Sequence, residues 1–255
     1  MNEVFRYNAL KNRRGIGFYV DKQSDSFAYD PYERVEWVER NLFNTYVDDL
    51  YGDIFLSDFL SIKGQLRAEA KILELGCATG AELRKVMHQF HGGHFYGVDY
   101  SYQLLKMANR LNVEGCTCEI DLRAKGLDRF IIRGEKSDRV SFLLADACSL
   151  PFIDESMDYL SSHFLLDRVS SVESYIIEIG RVLKRGGKAL ISTPMNFQKS
   201  EDWQNYASAD EIVRCFEQYN MSMRLPLREE VFVEKLDAGG NYVHWNAKLF
   251  YLEKV

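Results

Sequence analysis

The stretch Leu73–Gly80, which reads LELGCATG, decides the fold of this 255-residue chain. Its first residues are those of a buried strand, and the glycines that follow mark a tight turn that opens a helix. Gly76 lets the backbone pass close to a ligand, and Gly80 permits tight contact between helix and strand. Amide groups at the start of such a helix offer hydrogen-bond donors to a carboxylate. Because such turns also occur in α/β proteins without ligands, the rest of the chain must support a binding role.

Short apolar runs alternate with helical stretches from Lys71 onward. Strands are predicted at Lys71–Leu75, His94–Val98, Val140–Ala145, Asp158–His163 and Lys188–Thr193. Helices are predicted between them at Ala81–His88, Tyr102–Leu111 and Val172–Leu183. This alternation predicts an α/β fold with a parallel sheet covered by helices on both faces.

The order of elements changes after Thr193. Ser208 and Glu211 match a capping box, which predicts a helix at Asp210–Gln218. Two extended runs follow, at Glu229–Lys235 and Asn246–Glu253. A pair of glycines lies between these runs, so we expect them to form an antiparallel pair at the end of the sheet.

The N-terminal part of the chain is rich in aromatic residues, with 13 of the 34 in the first 60 positions. From Tyr32 to about Gln65, apolar residues recur at three- and four-residue steps, which predicts helices packed on a core. We therefore divide the chain into a helical N-terminal unit, residues 1–66, and a main domain, residues 67–255.

Composition excludes several classes of protein. The net charge is −6 and the pI is near 5.5, which argues against binding nucleic acid through its phosphates. Five scattered cysteines without a CxxC pair argue against a disulfide framework and against structural zinc. No apolar run is long enough for a membrane span or a signal peptide, so we expect a cytoplasmic protein that does not bind membranes.

Two aspartates follow predicted strands. Asp99 comes nineteen positions after Gly80, where a carboxylate can accept hydrogen bonds from both hydroxyls of a ribose. The alternative is a cap on the helix that begins at Tyr102, a role that Ser101 can also fill. Asp146 ends the third strand, where it can accept from an adenine amino group or serve only in a strand-end turn.

The order of these motifs resembles that of class I S-adenosylmethionine-dependent methyltransferases, in particular the small-molecule enzymes of methyltransferase type 11. The resemblance covers about Lys71 to Pro194 and includes Asp158-Tyr159 and the run RVLKRGG at 181–187. It implies a Rossmann-like, seven-stranded, mostly parallel sheet whose last two strands are antiparallel, with the N-terminal helices as a cap and substrate lid.

The resemblance also implies the cofactor and its site. S-adenosylmethionine is the implied methyl donor and S-adenosylhomocysteine the product, with Gly76 and Ala78 against the methionine part, Asp99 on the ribose and Asp146 on the adenine. The full set of implied cofactor-binding residues is Glu74, Gly76, Cys77, Ala78, Gly80, Asp99, Tyr100, Asp146, Ala147 and Ser162.

Two features depart from the family pattern. Asp146 follows Asp99 by 47 positions, more than in the family's shorter members, which leaves an insertion at about 113–138. We expect the insertion opposite the ligand crevice, in packing or subunit contact, because this link returns to the far edge of a parallel sheet. Many small-molecule members carry a His-His pair where this chain has Asp167-Arg168, which weakens any histidine mechanism transferred from them.

A base is needed only when the attacking atom of the acceptor carries a proton. His163, at the predicted end of the fourth strand, is the candidate catalytic base, and the alternative is a histidine bonded to backbone or cofactor. His244 beside Trp245 is a weaker candidate. His88, His91 and His94 do not share one face, so we predict no metal site.

The sequence therefore predicts methyl transfer to the oxygen, nitrogen or carbon of a small molecule. The alternative is a methyltransferase-like module that binds the cofactor without transferring the methyl group. A nicotinamide dehydrogenase is disfavoured because residues 76–80 lack the middle glycine of GxGxxG. No Asn-Pro-Pro-Tyr run occurs, so nucleic acid is not the expected acceptor, and the sequence favours no particular oligomeric state.

Overall fold

The structure, a computed structural model, describes residues 4–21 and 32–255. Within these ranges the strands are β1 (Lys11–Arg13), β2 (Ile16–Phe18), β3 (Lys71–Leu75), β4 (His94–Asp99), β5 (Cys118–Asp121), β6 (Arg129–Ile132), β7 (Val140–Leu144), β8 (Met157–His163), β9 (Leu183–Thr193), β10 (Met221–Met223), β11 (Arg228–Lys235) and β12 (Tyr242–Lys254). The helices are α1 (Val35–Tyr46), α2 (Ile54–Ile62), α3 (Ala81–Gln89), α4 (Tyr102–Asn112), α5 (Val172–Val182), α6 (Ser200–Asn205) and α7 (Ala209–Gln218).

The seven strands that the resemblance implied are present in the order β7-β4-β3-β8-β9-β12-β11. The first five are parallel to their neighbours, whereas β12 is antiparallel to both β9 and β11. The predicted Rossmann-like α/β fold, with its last two strands antiparallel, is confirmed. The strand order reverses at β3, so the carboxyl ends of β3, β4 and β8 border the crevice in which such folds bind ligands.

Two hydrophobic clusters cover the two faces of the sheet. Helices α5 and α7 pack on one face, where Tyr175 and Phe216 are fully buried. Helices α2, α3 and α4 pack on the other, where Phe59 of α2 lies in the same buried cluster as Ile72 and Phe95. Helix α2 therefore belongs to the core of the main domain as well as to the N-terminal segment.

The sequence predicted a helical N-terminal unit, but this segment also contains two short strands. Strands β1 and β2 form a hairpin, and Gly17 and Phe18 of β2 pair in parallel with Leu143 and Leu144 of β7. The hairpin thus extends the sheet beyond β7. Segments of three residues are too short for an alternating pattern to reveal them, so only the contact with β7 identifies them as strands.

The expected position of the insertion was wrong. Strands β5 and β6 pack on α1, where the Phe43 and Phe130 ring centroids are 5.4 Å apart. The insertion also reaches the turn between β11 and β12, because the Ala238 amide donates to the Lys125 carbonyl at 3.1 Å. The insertion lies on this side of the domain because α4, which precedes it, ends beside the glycine turn. There Asn112 Nδ2 donates to the Thr79 carbonyl at 3.1 Å. A link that starts there stays on the ligand side of the domain.

No helix in the described ranges is both long enough and apolar enough to cross a membrane.

Candidate functional site

A cavity of about 430 Å³ opens at the carboxyl edge of the sheet. Its lining comes from the N-terminal helices, the ends of β3, β4, β8 and β9, and the β11–β12 pair: Tyr32, Trp37, Arg40, Asn41, Asn44, Thr45, Leu50, Tyr51, Gly76, Ala78, Asp99, Leu104, His163, Phe164, Leu165, Arg168, Pro194, Glu234, Val243 and Trp245. The structure therefore brings four of the sequence-predicted residues, Gly76, Ala78, Asp99 and His163, to one cavity.

The glycine turn forms one end of the cavity. Gly76 has a φ of +71°, and a Cβ atom there would lie 3.3 Å from the Leu165 side chain. Ala78 also has a positive φ, +47°, a conformation that costs free energy for a residue with a side chain. Its amide donates to Asp99 Oδ2 at 2.9 Å, which holds the turn against the end of β4.

Asp99 and Ser101 divide the two roles that the sequence left open. The Ser101 hydroxyl accepts from the Leu104 amide at 3.2 Å and so caps α4. Asp99 does not cap the helix; its Oδ1 accepts from the Ser101 amide at 2.8 Å. A carboxylate fixed by two backbone amides beside a glycine turn fits an adenosyl group, because it presents charge where ribose hydroxyls would donate.

The other implied cofactor residues lie outside the lining of this cavity. Cys77 packs in the core, and Gly80 lies against Phe142, with which a Cβ atom would collide at 2.9 Å. Ser162 is fully buried and donates to the Leu75 carbonyl at 3.0 Å. These three residues support the turn from behind, so any contact of theirs with the cofactor stays a prediction.

Asp146 and Ala147 follow β7 beside the end of β4. Asp146 Oδ1 accepts from the Cys148 amide at 2.8 Å, the turn role that the sequence left as an alternative. Ala147 is buried in the core. Contact of Asp146 and Ala147 with the adenine, and of Tyr100 with the cofactor, stays a prediction.

Glu74 occupies part of the helix N-terminus that was expected to receive a cofactor carboxylate. It is almost fully buried, and burial and the nearby Glu82 raise its pKa well above the usual range. The Leu83 amide of α3 donates to it, while Glu74 Oε2 has no hydrogen-bond partner in the part of the chain that the structure describes. This amide therefore serves a carboxyl group of the chain itself.

Helix α1 is bonded directly to the glycine turn. The Tyr46 hydroxyl donates to the Thr79 carbonyl at 2.9 Å, and the Thr79 hydroxyl donates to Asn41 Oδ1 at 2.5 Å. Burial raises the pKa of Tyr46 to about 12, so this phenol keeps its donor proton. The helix that covers the cavity is thus positioned by the turn that borders it.

Glu234 joins α1 to the β11–β12 pair across the far wall. It accepts from Arg40 at 2.5 Å, from Asn44 at 2.5 Å and from Trp245 Nε1 at 2.9 Å. Burial alone would raise the pKa of Glu234, but these donors outweigh it and hold the pKa below its usual value. Glu234 could not be predicted from the sequence, because its partner Arg40 lies 194 positions away and no motif marks either residue.

Aromatic rings line the space between the glycine turn and Glu234. Tyr51 and Phe164 stack with centroids 5.5 Å apart, and Phe164 contacts Trp245 edge-on at 6.1 Å. Trp37 closes the opposite side under the Arg40 guanidinium, 4.8 Å from its ring. Such walls favour a planar or apolar molecule and keep water out.

A second cavity, of about 380 Å³, lies beyond Arg40 and Asn44. The insertion contributes Leu122, Lys125 and Leu127 to its lining. The insertion thus borders the outer side of the wall that Glu234 holds together.

His163 lies at the end of β8, where its ring stacks on Phe55 with centroids 3.5 Å apart. Its Nδ1 is 3.3 Å from the Ser192 hydroxyl. Burial, with a smaller effect of the Lys85 charge, lowers its pKa to about 3. The ring is therefore neutral at physiological pH.

We expect acid to destabilise the protein through His163. In the folded chain the pKa of His163 is about 3, against an ordinary value of 6.5. Below pH 6.5 the unfolded chain therefore binds a proton at this histidine, whereas the folded chain does not until the pH approaches 3. The free energy of unfolding should fall by about 2 kcal/mol between pH 7 and pH 5 on this account. Urea unfolding at both values, for the wild type and His163→Gln, measures this, and equal losses in the two proteins would contradict it.

His88 and His94, two of the histidines considered as metal ligands, are bonded to different groups. His88 Nε2 is 2.6 Å from Glu135 Oε2, and His94 Nε2 is 2.9 Å from the Ser141 hydroxyl. Within residues 4–21 and 32–255, no group of three or more His, Cys, Asp or Glu side chains is arranged to hold a metal ion.

Part of this chain matches a known family of protein domains. Residues 73–191 match the family model described as a methyltransferase domain, a little under half of the chain. With the strand order and the glycine turn, this match supports a methyltransferase domain of the class I, S-adenosylmethionine-dependent type over residues 73–191.

Similar curated proteins share this domain and are longer. The chain is 29% identical over 129 residues to phosphoethanolamine N-methyltransferase 2 of Caenorhabditis elegans, covering 51% of this chain and 25% of that protein. It is 32% identical over 130 residues to demethylmenaquinone methyltransferase of Clavibacter sepedonicus, covering 50% and 43%. The match thus spans less than half the length of these relatives.

Solved structures share the fold at low sequence identity. Phosphoethanolamine N-methyltransferase 2 of Haemonchus contortus aligns with a TM-score of 0.56 at 17% identity, over 91% of this chain and 61% of that chain. The YcgJ protein of Bacillus subtilis aligns with a TM-score of 0.52 at 17% identity, over 78% and 97%.

Proposed function

We propose that this chain transfers a methyl group from S-adenosylmethionine to a small molecule held between the aromatic walls of the cavity. The observation that carries the proposal is that one cavity joins Gly76, Ala78 and Asp99 to these aromatic walls and to His163. A cofactor held at the first end would direct its methyl group toward an acceptor at the second.

Methyl transfer needs little catalysis by side chains, because the sulfonium of the cofactor is already an activated electrophile. Orientation of two reactants within one site supplies roughly 7–11 kcal/mol of the barrier reduction. In our proposal Asp99 orients the ribose, Gly76 leaves room for the methionine part, and Trp37 and Tyr51 hold the acceptor and exclude water.

His163 orients the acceptor in this proposal by accepting a hydrogen bond from its hydroxyl or amino group. A buried imidazole with a pKa near 3 holds a proton poorly, so it suits a positioning role better than that of a general base. We therefore expect the proton to leave the acceptor for solvent.

His163→Gln should lower kcat/KM by about tenfold, mainly through KM, because glutamine still offers a hydrogen-bond acceptor. Loss of a true general base costs about 10²- to 10⁴-fold. Steady-state kinetics from pH 6 to pH 9 measures the difference. A loss above a hundredfold in kcat, together with loss of an acidic limb in the pH profile, would instead make His163 the base.

The acceptor is proposed to be a small molecule and the compartment the cytoplasm. The cavity is lined by α1, the segment between α1 and α2, and the β11–β12 pair, which suits a small ligand better than a nucleic acid strand. All five cysteines are free thiols, which is typical of a reducing compartment.

Methyl transfer is tested with S-adenosylmethionine carrying a labelled methyl group and an extract of cell metabolites. We expect label in at least one small molecule with the wild type, and none with Asp99→Ala. Tight binding of the cofactor with no labelled product in any extract would contradict the proposal and favour a module that only binds the cofactor.

A further inference from the structure

Arg168 is a charged residue in the cavity wall, and its guanidinium has no acceptor within hydrogen-bond distance among the described residues. It follows β8 in the loop that also contributes Phe164 and Leu165 to the lining. Its side chain is 25% exposed, and within the described ranges it forms one ion pair, with Asp167, whose Oδ2 lies 3.7 Å from the Arg168 Nε. That distance exceeds the range of a hydrogen bond.

Asp167 makes its own side-chain hydrogen bonds to groups other than Arg168. Oδ1 accepts from the Thr193 hydroxyl at 3.1 Å and Oδ2 from the Asn196 amide at 3.0 Å. These bonds hold Asp167 under the loop after β9 and leave its carboxylate fully buried. The Arg168 guanidinium is left at the cavity with its donors free of hydrogen bonds to the described residues.

The other charges that line the cavity are already satisfied. Arg40 and Glu234 neutralise each other at 2.5 Å. Asp99 accepts two backbone amides, and its carboxylate faces the position proposed for the ribose. Arg40 is thus bonded to Glu234, whereas the Arg168 guanidinium makes no hydrogen bond to the described residues and has donors available at the cavity.

We propose that Arg168 binds a carboxylate or phosphate group of the methyl acceptor, so that this chain methylates anionic small molecules. This inference rests on the proposed function. Arginine presents paired donors that match a carboxylate or phosphate in geometry. Among aromatic walls, where water is excluded, the attraction is stronger than in solvent.

The cofactor's own carboxylate is the other anion that could reach Arg168, and affinity measurements separate the two sources. Calorimetry gives the affinities of S-adenosylhomocysteine and of 5′-methylthioadenosine, which lacks the amino-acid part, for the wild type and Arg168→Gln. We expect neither affinity to change by more than about twofold. A tenfold loss for S-adenosylhomocysteine alone would assign Arg168 to the cofactor and overturn the proposal.

A second experiment tests binding at the position proposed for the acceptor, with benzoate and inorganic phosphate as probes. With S-adenosylhomocysteine saturating, tryptophan fluorescence reports binding near Trp37 and Trp245. We expect at least one probe to bind the wild type and to bind Arg168→Gln at least tenfold more weakly, as loss of a charge-assisted pair predicts. Arg185→Gln, at an exposed arginine remote from the cavity lining, is the matched control and should match the wild type.

Unchanged probe binding in Arg168→Gln, or no binding of either probe to the wild type, would overturn the proposal. Failure of the wild type to bind S-adenosylhomocysteine would instead refute the proposed function, and probe binding to the protein without cofactor then still reports on Arg168. Thermal unfolding checks that both variants fold: Arg185→Gln should match the wild type, and Arg168→Gln should lose some stability because it removes the ion pair with buried Asp167.

Discussion

Asp99→Ala should weaken the binding of S-adenosylhomocysteine at least a hundredfold while the fold stays intact. Each hydrogen bond to a desolvated carboxylate contributes about 1.5–3 kcal/mol, and Asp99 is proposed to accept two from the ribose. The same carboxylate holds the Ala78 amide at 2.9 Å. Its removal therefore also loosens the turn that borders the cofactor.

Isothermal titration calorimetry measures this effect, and Asp99→Asn is an informative second variant. The amide keeps one oxygen acceptor but loses the charge, so we expect an affinity between those of the wild type and Asp99→Ala. Asp128→Ala removes an exposed carboxylate in the insertion and serves as the control. A loss below threefold for Asp99→Ala would show that Asp99 does not hold the ribose.

Asp58→Ala should be the most destabilising of the substitutions considered, at about 3–5 kcal/mol. Asp58 is buried in α2, where it pairs with Arg224 and accepts from the Tyr159 hydroxyl at 3.0 Å. Loss of this carboxylate leaves a largely buried guanidinium and a buried phenol without partners, and such uncompensated charges carry costs of this size. A loss of this size lowers the melting temperature by roughly 10 °C in a protein of this length.

Scanning calorimetry and urea unfolding measure the loss, with Asp53→Ala as the control on the same helix. Asp53 is exposed and its side chain makes no capping hydrogen bond, so its removal should cost less than 1 kcal/mol. The double variant Asp58→Leu with Arg224→Met should recover much of the stability, because it removes the stranded charge. Equal stability of Asp58→Ala and Asp53→Ala would mean that α2 is a separable lid rather than part of the core.

The sheet could be predicted from the sequence because its strands are buried on both faces and separated by glycine turns. Strand β3 begins and ends at the residues that the apolar run Lys71–Leu75 predicted. The C-terminal pair β11 and β12 was also predicted, since alternating residues and a glycine turn are local signals. Local patterns therefore sufficed for the elements that carry Gly76 and Asp99.

The wall opposite the glycine turn could not be predicted, because long-range contacts create it. Glu234 joins Arg40 across 194 positions, and Arg224 joins Asp58 across 166. Neither pair follows a helical or strand period, so neither leaves a pattern in the sequence. The insertion was misplaced for a related reason: the contact of Asn112 with Thr79, which redirects the chain after α4, is tertiary.

The roles of the small residues near the glycine turn could be predicted from the sequence only in part. Cys77 and Gly80 belong to the family motif, yet the structure uses them to pack against Phe142 behind the turn. Gly97 must also be small, since a Cβ atom there would lie 2.6 Å from the Phe142 ring. A motif position marks a requirement for a small residue, but only the packing shows whether a ligand or a side chain sets it.

A crystal structure of the protein with S-adenosylhomocysteine tests the central claim most directly. We expect the nucleoside in the cavity, with its ribose hydroxyls within hydrogen-bond distance of Asp99. The homocysteine part should lie along Gly76 and Ala78, with the sulfur facing the aromatic walls. The ligand bound elsewhere, or with its ribose remote from Asp99, would contradict it.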